Sequence, residues 1–296
     1  GGLGLNDRTH RSSPVQIPGS WTDVSTNAGG GSNDVGAAKK GDTWWMWGYN
    51  DDGNLGLNNK IYYSSPVQLP GTWTSIAIGE DHTLGLRTNG TLWAWGKNNY
   101  GHLGLNDTAN RSSPVQIPGT TWSKLFNGST YNSVAQKSDG TIWAWGRNPQ
   151  GQLGQNSQIG DAVSSPVQIP GTTWSWVSPQ GASMIATKTD GTLWAWGSGY
   201  FGATGQNNRT YYSSPRQIPG TNWATGDHSA SSSHPGAAFA LKTDGTLWGI
   251  GRNDAGNLGI NLQTANSNYS SPVQIPGTTW SKVFGVGFMK TDGTLW

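Results

Sequence analysis

"GTLWAWGKNNYGHLGLND", residues 90–107, decides how this chain folds, because nearly the same words return at 140, 191 and 245. Working outward, "SSPVQIPG" at 12 recurs as "SSPVQLPG" at 64, "SSPVQIPG" at 112 and 164, "SSPRQIPG" at 213 and "SSPVQIPG" at 270. The first prolines of these phrases, Pro14, Pro66, Pro114, Pro166, Pro215 and Pro272, lie 52, 48, 52, 49 and 57 residues apart. A period near 50 residues marks one supersecondary unit copied in series, since a single unit cannot bury its apolar faces alone.

Tryptophan keeps the same beat. One follows each proline phrase (Trp21, Trp73, Trp122, Trp174, Trp223, Trp280) and one ends each "GTLW"-type phrase (Trp45, Trp93, Trp143, Trp194, Trp248, Trp296). Four more stand two residues later, at Trp47, Trp95, Trp145 and Trp196, where the fifth copy has Ile250. Within a unit, "TLWAWG" alternates large and small residues with the period of a half-buried strand. The "TDG" or "SDG" before it closes a tight turn after another apolar segment such as "MIATK", which predicts a hairpin. "PVQIPG", punctuated by prolines, suits an edge strand, and "TTWSKLF" adds one more.

About four short strands per unit describe a β-propeller blade. A buried Trp withdraws about 150–250 Å² from water, or roughly 4–6 kcal/mol before entropy is counted. Packing between blades, rather than ligand stacking, is therefore the expected role of the twelve phrase-marking tryptophans. The glycines of "GxLGxN" are expected to permit positive φ and close blade contact; no helix follows them to make a phosphate loop.

Gly1 aligns with Gly101 and Trp296 with Trp93, so about seven residues like "AWGKNNY" between the ends would complete a sixth repeat. The expectation is one all-β domain over residues 1–296, a six-bladed propeller closed by N- and C-terminal strands that share an incomplete blade. Seven blades result if a repeat lies outside this chain.

Composition removes several functions. Eighteen Lys+Arg against 16 Asp+Glu leave a net charge of +2, and 11% of residues are charged, a poor match to nucleic acid or to an anionic membrane. No cysteine exists to form a disulfide, a thiolate metal site or a nucleophile. No apolar run reaches the roughly 18 residues of a spanning helix. "DHSASSSH", residues 227–234, places Asp, His and Ser side by side on a loop, where they cannot face one another as a triad, and supplies no third metal ligand. "NDDGN" (50–54) and "NDAGN" (253–257) lack the remainder of a calcium loop and read as turns. No catalytic residue, metal or cofactor is expected.

The copies differ most just before each "SSP": "NDRTHR", "NNKIYY", "NDTANR", "NSQIGDAV", "NNRTYY" and "NLQTANSNY". Equivalent positions of a propeller emerge on one rim, which would gather Lys60, Tyr62, Tyr63, Arg111, Arg209, Tyr211, Tyr212 and Tyr269. Tyr and Arg are enriched at protein interfaces. The alternative is that each Tyr covers the edge of its own blade.

The stretches "WGKNNYGHLGLN" (95–106), "WGRNPQGQLGQN" (145–156), "GRNDAGNLGIN" (251–261) and "GEDHTLGLRTNG" (79–90) resemble the RCC1 repeat family. The resemblance covers essentially the whole chain and implies a propeller, for which the best-known members have seven blades. The near-identity of the copies resembles RCC1-like arrays of bacterial secreted proteins and phage structural proteins. It implies a non-catalytic binding or structural module, extracellular or on a virion surface, serving adhesion or assembly. The partner would be another protein or a surface glycan, other copies of this chain, or a larger parent assembly. The alternative is a regulatory partner-binding propeller, such as a GTPase exchange factor or an inhibitor of secreted enzymes, and a cytoplasmic setting goes with that alternative. The family's exchange factor also uses a wedge and a basic tail, for which this sequence shows no equivalent.

Overall fold

The computed structural model describes residues 2–26, 34–126, 131–156, 160, 162–179, 182–230, 236–261, 268–284 and 287–296, with the backbone alone for 227–230. The predicted strands form. The first sheet holds β1 (Asp23–Thr26), β2 (Val35–Lys40), β3 (Thr43–Gly48) and β4 (Tyr63–Gln68). The second holds β5 (Ser75–Ile78), β6 (His82–Leu86), β7 (Leu92–Gly96) and β8 (Arg111–Gln116). The third is built from β9 (Trp122–Phe126), β10 (Asn132–Lys137), β11 (Ile142–Gly146) and β12 (Val163–Gln168). The fourth has β13 (Trp174–Pro179), β14 (Ser183–Lys188), β15 (Leu193–Gly197) and β16 (Tyr212–Ile218), with one 3₁₀ turn at Tyr200–Gly202. The fifth has β17 (Trp223–Ala230), β18 (Ala237–Lys242), β19 (Leu247–Gly251) and β20 (Tyr269–Ile275). The sixth pairs only β21 (Trp280–Phe284) and β22 (Gly287–Lys290). Five sheets are thus four-stranded meanders in chain order, and the last is two-stranded.

Turn chemistry explains the hairpins. In "KTDGT" the amide of Gly191 bonds to Lys188 O and that of Lys188 to Thr192 O, a three-residue connection in which Gly191 takes φ +76°. Asp190 Oδ1 accepts from the amide and hydroxyl of Thr192, and that hydroxyl accepts from Trp194 Nε1 at 2.8 Å. The same relay recurs at Asp244–Thr246–Trp248 and Asp292–Thr294–Trp296. The "DGTLW" phrase is therefore one local hydrogen-bonded device.

The "GxLGxN" loops reach forward. In five of the six, the last Asn sits in the left-handed region and its amide bonds to the first serine carbonyl of a later "SSP" strand: Asn6 to Ser64, Asn58 to Ser112, Asn106 to Ser164, Asn156 to Ser213 and Asn207 to Ser270, at 2.6–2.8 Å. Asn tolerates this conformation at less cost than other side-chain-bearing residues. An upstream buried Asn holds the loop shut, with Asn50, Asn98, Asn148 and Asn253 Oδ1 accepting from the amides of Leu55, Leu103, Leu153 and Leu258. That is the turn chemistry expected for "NDDGN" and "NDAGN".

Among the described residues no sheet joins strands from the two ends of the chain, so the expected closure by terminal strands is not observed. The first "SSPVQ", residues 12–16, is exposed and forms no strand. Its copies become strands beside a "WAWG" strand, as Ala94 pairs Val115 and Ala195 pairs Arg216. A proline-bearing segment with few free donors does not hold extended structure by itself.

The chain divides into two compact units, residues 1–138 with 163–166, and 139–162 with 167–296. In the first, Trp44, Met46, Leu55, Leu69, Trp73, Ile76, Ile78 and Trp95 form a buried cluster. In the second, Ile185, Leu193, Ile218, Trp223 and Ile250 form one cluster, and Phe239, Leu247, Leu258 and Ile275 another.

Candidate functional site

The phrase-marking tryptophans meet in pairs. Trp21 and Trp45 lie edge-to-face at 6.3 Å, Trp73 and Trp93 at 6.1 Å, Trp174 and Trp194 at 6.0 Å, Trp223 and Trp248 at 6.3 Å, and Trp280 and Trp296 at 6.2 Å. A cation from the neighbouring strand enters four of these pairs: Arg87, Lys188, Lys242 and Lys290 each lie 4.1–5.0 Å from both rings. Lys137 lies 5.1 Å over Trp122, and Trp143 Nε1 donates to Thr141 Oγ1. Such contacts hold a charge against an apolar face at about 0.5–2 kcal/mol each. The third Trp of the phrase reaches back to the preceding loop: Trp47 Nε1 donates to Gly2 O, Trp95 to Asn54 O and Trp196 to Gln152 O, at 2.8–2.9 Å. A Cβ at Gly154 would stand 2.5 Å from Trp196 Nε1, so this glycine makes room for the indole.

The variable segments lie at the surface. In the first unit Lys60 is exposed, and Tyr62, 46% exposed, packs 5.3 Å from the ring of Tyr49. The Tyr49 hydroxyl donates to Asp51 at 2.9 Å, and hydrogen bonds from Tyr62 and Tyr49 hold the Asp51 carboxyl below its usual range. Burial, reinforced by Asp51, pushes the Tyr49 phenol up. Tyr63 is half-buried against the first core and accepts from Asn59, while Arg111 is tied to Asp107 at 2.6 Å. In the second unit Arg209 is exposed and Tyr211 is 41% exposed. Tyr212 accepts from Asn208 and lies under Arg216, and Tyr269 packs on the core. Within each unit the members thus divide into outward-facing side chains (Lys60, Tyr62, Arg209, Tyr211) and ones committed to their own sheet (Tyr63, Tyr212, Tyr269).

Sequence reasoning missed a second row of aromatic positions. Tyr100 and Tyr200 are exposed, and Phe201 adjoins Tyr200. The signal was legible, since the two residues after the anchoring position of the "WG" loop read Asp-Asp, Asn-Tyr, Pro-Gln, Tyr-Phe and Asp-Ala in successive copies. A buried polar cluster was also missed. His82 Nε2 lies 2.9 Å from Ser133 Oγ, which donates to His102 O at 2.6 Å, and the two imidazoles lie 4.7 Å apart, tilted by 50°. Burial lowers the pKa of His82 to about 4, and burial beside His82 lowers that of His102 as well. Among the described residues no three metal-ligating side chains converge. Residues 231–235, with His234 of "DHSASSSH", lie outside the described residues, as do the side chains of Asp227, His228 and Ser229.

Residues 43–86, 89–132 and 139–178 match the Regulator of chromosome condensation (RCC1) repeat, and a second pattern of that repeat matches 73–101. No curated protein matches the chain in sequence. Human WBSCR16 superposes with a TM-score of 0.68 at 21% identity, over 84% of this chain and 66% of its own. Yeast RCC1 (Prp20) bound to Kap60 gives 0.70 at 18% identity, over 88% and 67%. Prp20p from Saccharomyces cerevisiae, described with its binding to Gsp1p and histones, gives 0.70 at 19%, over 88% and 68%. The chain spans about two thirds of the length of these solved chains, and at such identities the likeness is one of fold.

These matches correct four expectations. The bacterial or phage affinity gives way to likeness with human and yeast proteins. The extracellular or virion-surface setting, and the adhesive and virion roles attached to it, conflict with relatives that bind Kap60, Gsp1p and histones. The expectation that the chain has no enzymatic role gives way before the likeness to yeast RCC1 (Prp20). The physical reason is common to all four: near-identical copies and low charge follow from repeat packing, and packing carries no record of compartment or activity. What the matches establish directly is the repeat itself: residues 43–86, 89–132 and 139–178 match the RCC1 repeat.

Proposed function

We propose that the six repeats form one propeller working as a regulatory, partner-binding module of the kind in which an RCC1-type exchange factor acts on a small GTPase. The observation that carries this reading is the confinement of exposed tyrosines, among the described residues, to segments where the copies differ, while the packing phrases stay constant. Tyr62, Tyr100, Tyr200 and Tyr211 are all exposed and all lie in those segments. Tyrosine presents large, stiff, half-polar area and is favoured at binding hot spots. The contact residues are proposed from each unit separately: Lys60, Tyr62, Tyr63 and Arg111 on the first and Arg209, Tyr211, Tyr212 and Tyr269 on the second, with the outward-facing Lys60, Tyr62, Arg209 and Tyr211 making the contacts and the others supporting them. Binding of Kap60, Gsp1p and histones by the yeast relatives supports a protein as the partner.

The test is to load a small GTPase of the Gsp1p type with a fluorescent GDP analogue and follow release with and without this protein. Accelerated release is expected. Tyr62→Ala with Tyr211→Ala should weaken binding about tenfold or more while leaving the melting temperature unchanged. Neither binding nor acceleration by a well-folded sample would defeat the reading.

A further inference from the structure

The fourth repeat lacks the ion pair that the second carries at an equivalent position. In four copies the residue after "WG", or after "IG" in the fifth, bonds through its amide to a carbonyl just before the sheet's second strand: Tyr49 to Asp34, Lys97 to Asp81, Ser198 to Ala182 and Arg252 to Gly236, all at 2.8–2.9 Å. These four positions are therefore structurally equivalent. Their side chains differ from copy to copy, and at Tyr49 a cavity of about 170 Å³ is lined by Asp34, Tyr49 and Tyr62. Lys97 crosses to the buried Asp81 at 2.8 Å, Arg252 folds onto Asp254 at 2.8 Å, and Tyr49 reaches Asp51. In the fourth repeat both members of the Lys97–Asp81 pair are replaced by small neutral residues, Ser198 and Ala182.

Beside Ser198 lies a cavity of about 330 Å³ lined by Tyr200, Phe201 and Tyr211 together with Ala182, Ser198 and Gln150. Two details mark it as built for occupancy. Phe201 holds φ +63° inside the 3₁₀ turn, a left-handed conformation costly for an aromatic residue, of the kind retained where a side chain must be presented. Tyr200 stands edge-to-face with it at 4.3 Å and is 61% exposed at the mouth. Arg252 covers Phe201 at 4.9 Å, but its charge is paired with Asp254. Among the described residues no carboxylate or ammonium lines the cavity itself, whereas the equivalent space beside Lys97 holds one of each.

We propose that this cavity receives one uncharged apolar side chain, aromatic or branched aliphatic, from a polypeptide partner. The inference rests on the partner-binding reading above and adds where the partner is anchored and by what chemistry. Loss of both charges of the Lys97–Asp81 pair removes any means of holding an ion, and the three rings offer a neutral group face and edge contacts.

The test uses the full chain and N-acetyl-phenylalanine amide as the probe, followed by amide chemical shifts of Ser198, Tyr200–Gly202 and Tyr211. N-acetyl-lysine amide and methyl β-glucopyranoside serve as comparisons. Saturable shifts at these residues with the phenylalanine probe are expected, with neither comparison matching them. Ala182→Asp with Ser198→Lys, which rebuilds the pair found at 81 and 97, should abolish the shifts. Tyr211→Ala serves the same purpose if the double variant fails to fold. Absence of saturable shifts, shifts unchanged in both variants, or saturation by the lysine or glucoside probe alone would each overturn the proposal. Because the probe needs no identified partner, its outcome is independent of the nucleotide-release assay. A GTPase that binds wild type and double variant equally would sink this anchor and leave the partner-binding reading intact.

Discussion

Thr246 contributes more than its exposure suggests. Its amide and hydroxyl bond Asp244, its oxygen accepts from Trp248, and the Asp244 carboxyl is held below its usual range by the Thr246 hydroxyl and amide. Thr246→Val keeps the shape and removes the hydroxyl, and should cost about 0.5–1.5 kcal/mol in urea unfolding with no change in m-value. His82 sets a pH dependence. Its folded pKa of about 4 lies below the unfolded value of 6.5, so between those limits the unfolded chain binds the proton and the folded chain does not. Stability is therefore undiminished above about pH 6.5, falls as pH drops toward 4, and levels off below. At about 1.4 kcal/mol per pH unit, the loss is on the order of 3 kcal/mol. The check is denaturant unfolding at pH 7 and pH 4.5 for wild type and His82→Gln. The wild type should lose more stability than the variant, and an equal loss would contradict the assignment. None of this cluster was legible in sequence, because His82 and His102 stand on different segments of the second repeat, Ser133 belongs to the third, and the three meet only in space.

Loops and strands form the next scale, and here the repeats are joined by contact of backbone with backbone. Gly151, φ +78°, faces the next sheet so closely that a Cβ would stand 2.8 Å from Ser213 Cα. Gly256, φ +74°, occupies the same place in the fifth loop with nothing within 4 Å. The pair separates two costs. Gly256→Ala incurs only the left-handed conformation, about 1–2 kcal/mol, whereas Gly151→Ala must also push two strands apart. The melting temperature should fall clearly further for Gly151→Ala, and equal falls would mean that the loop-to-strand latch carries no stability. The sequence predicted positive φ and close contact at these glycines. It did not show that the surface approached is the "SSP" strand of a later repeat, since a repeat period states what is copied and leaves open which copy touches which.

At the scale of the whole molecule, charge is sparse, with a net +2 and 11% charged residues, and several cations already lie against tryptophan rings. Association with a protein partner should then depend on contact area more than on long-range steering. Raising NaCl from 50 to 500 mM should change the association rate less than about tenfold, whereas a steered complex would slow far more steeply. Compartment and activity were misread at this scale because packing phrases answer only to packing. By itself, the sequence determined the repeat, the four-stranded meander, the hairpin turns and the strands that prolines push to a sheet edge. Each of these is a local matter of period, turn residue or missing donor, settled within about 50 residues. Only the tertiary structure decided that tryptophan pairs clasp cations and that loops latch onto later strands. It alone showed that two imidazoles lie buried together and that three rings of the fourth repeat line a cavity, because such features depend on how side chains meet in space.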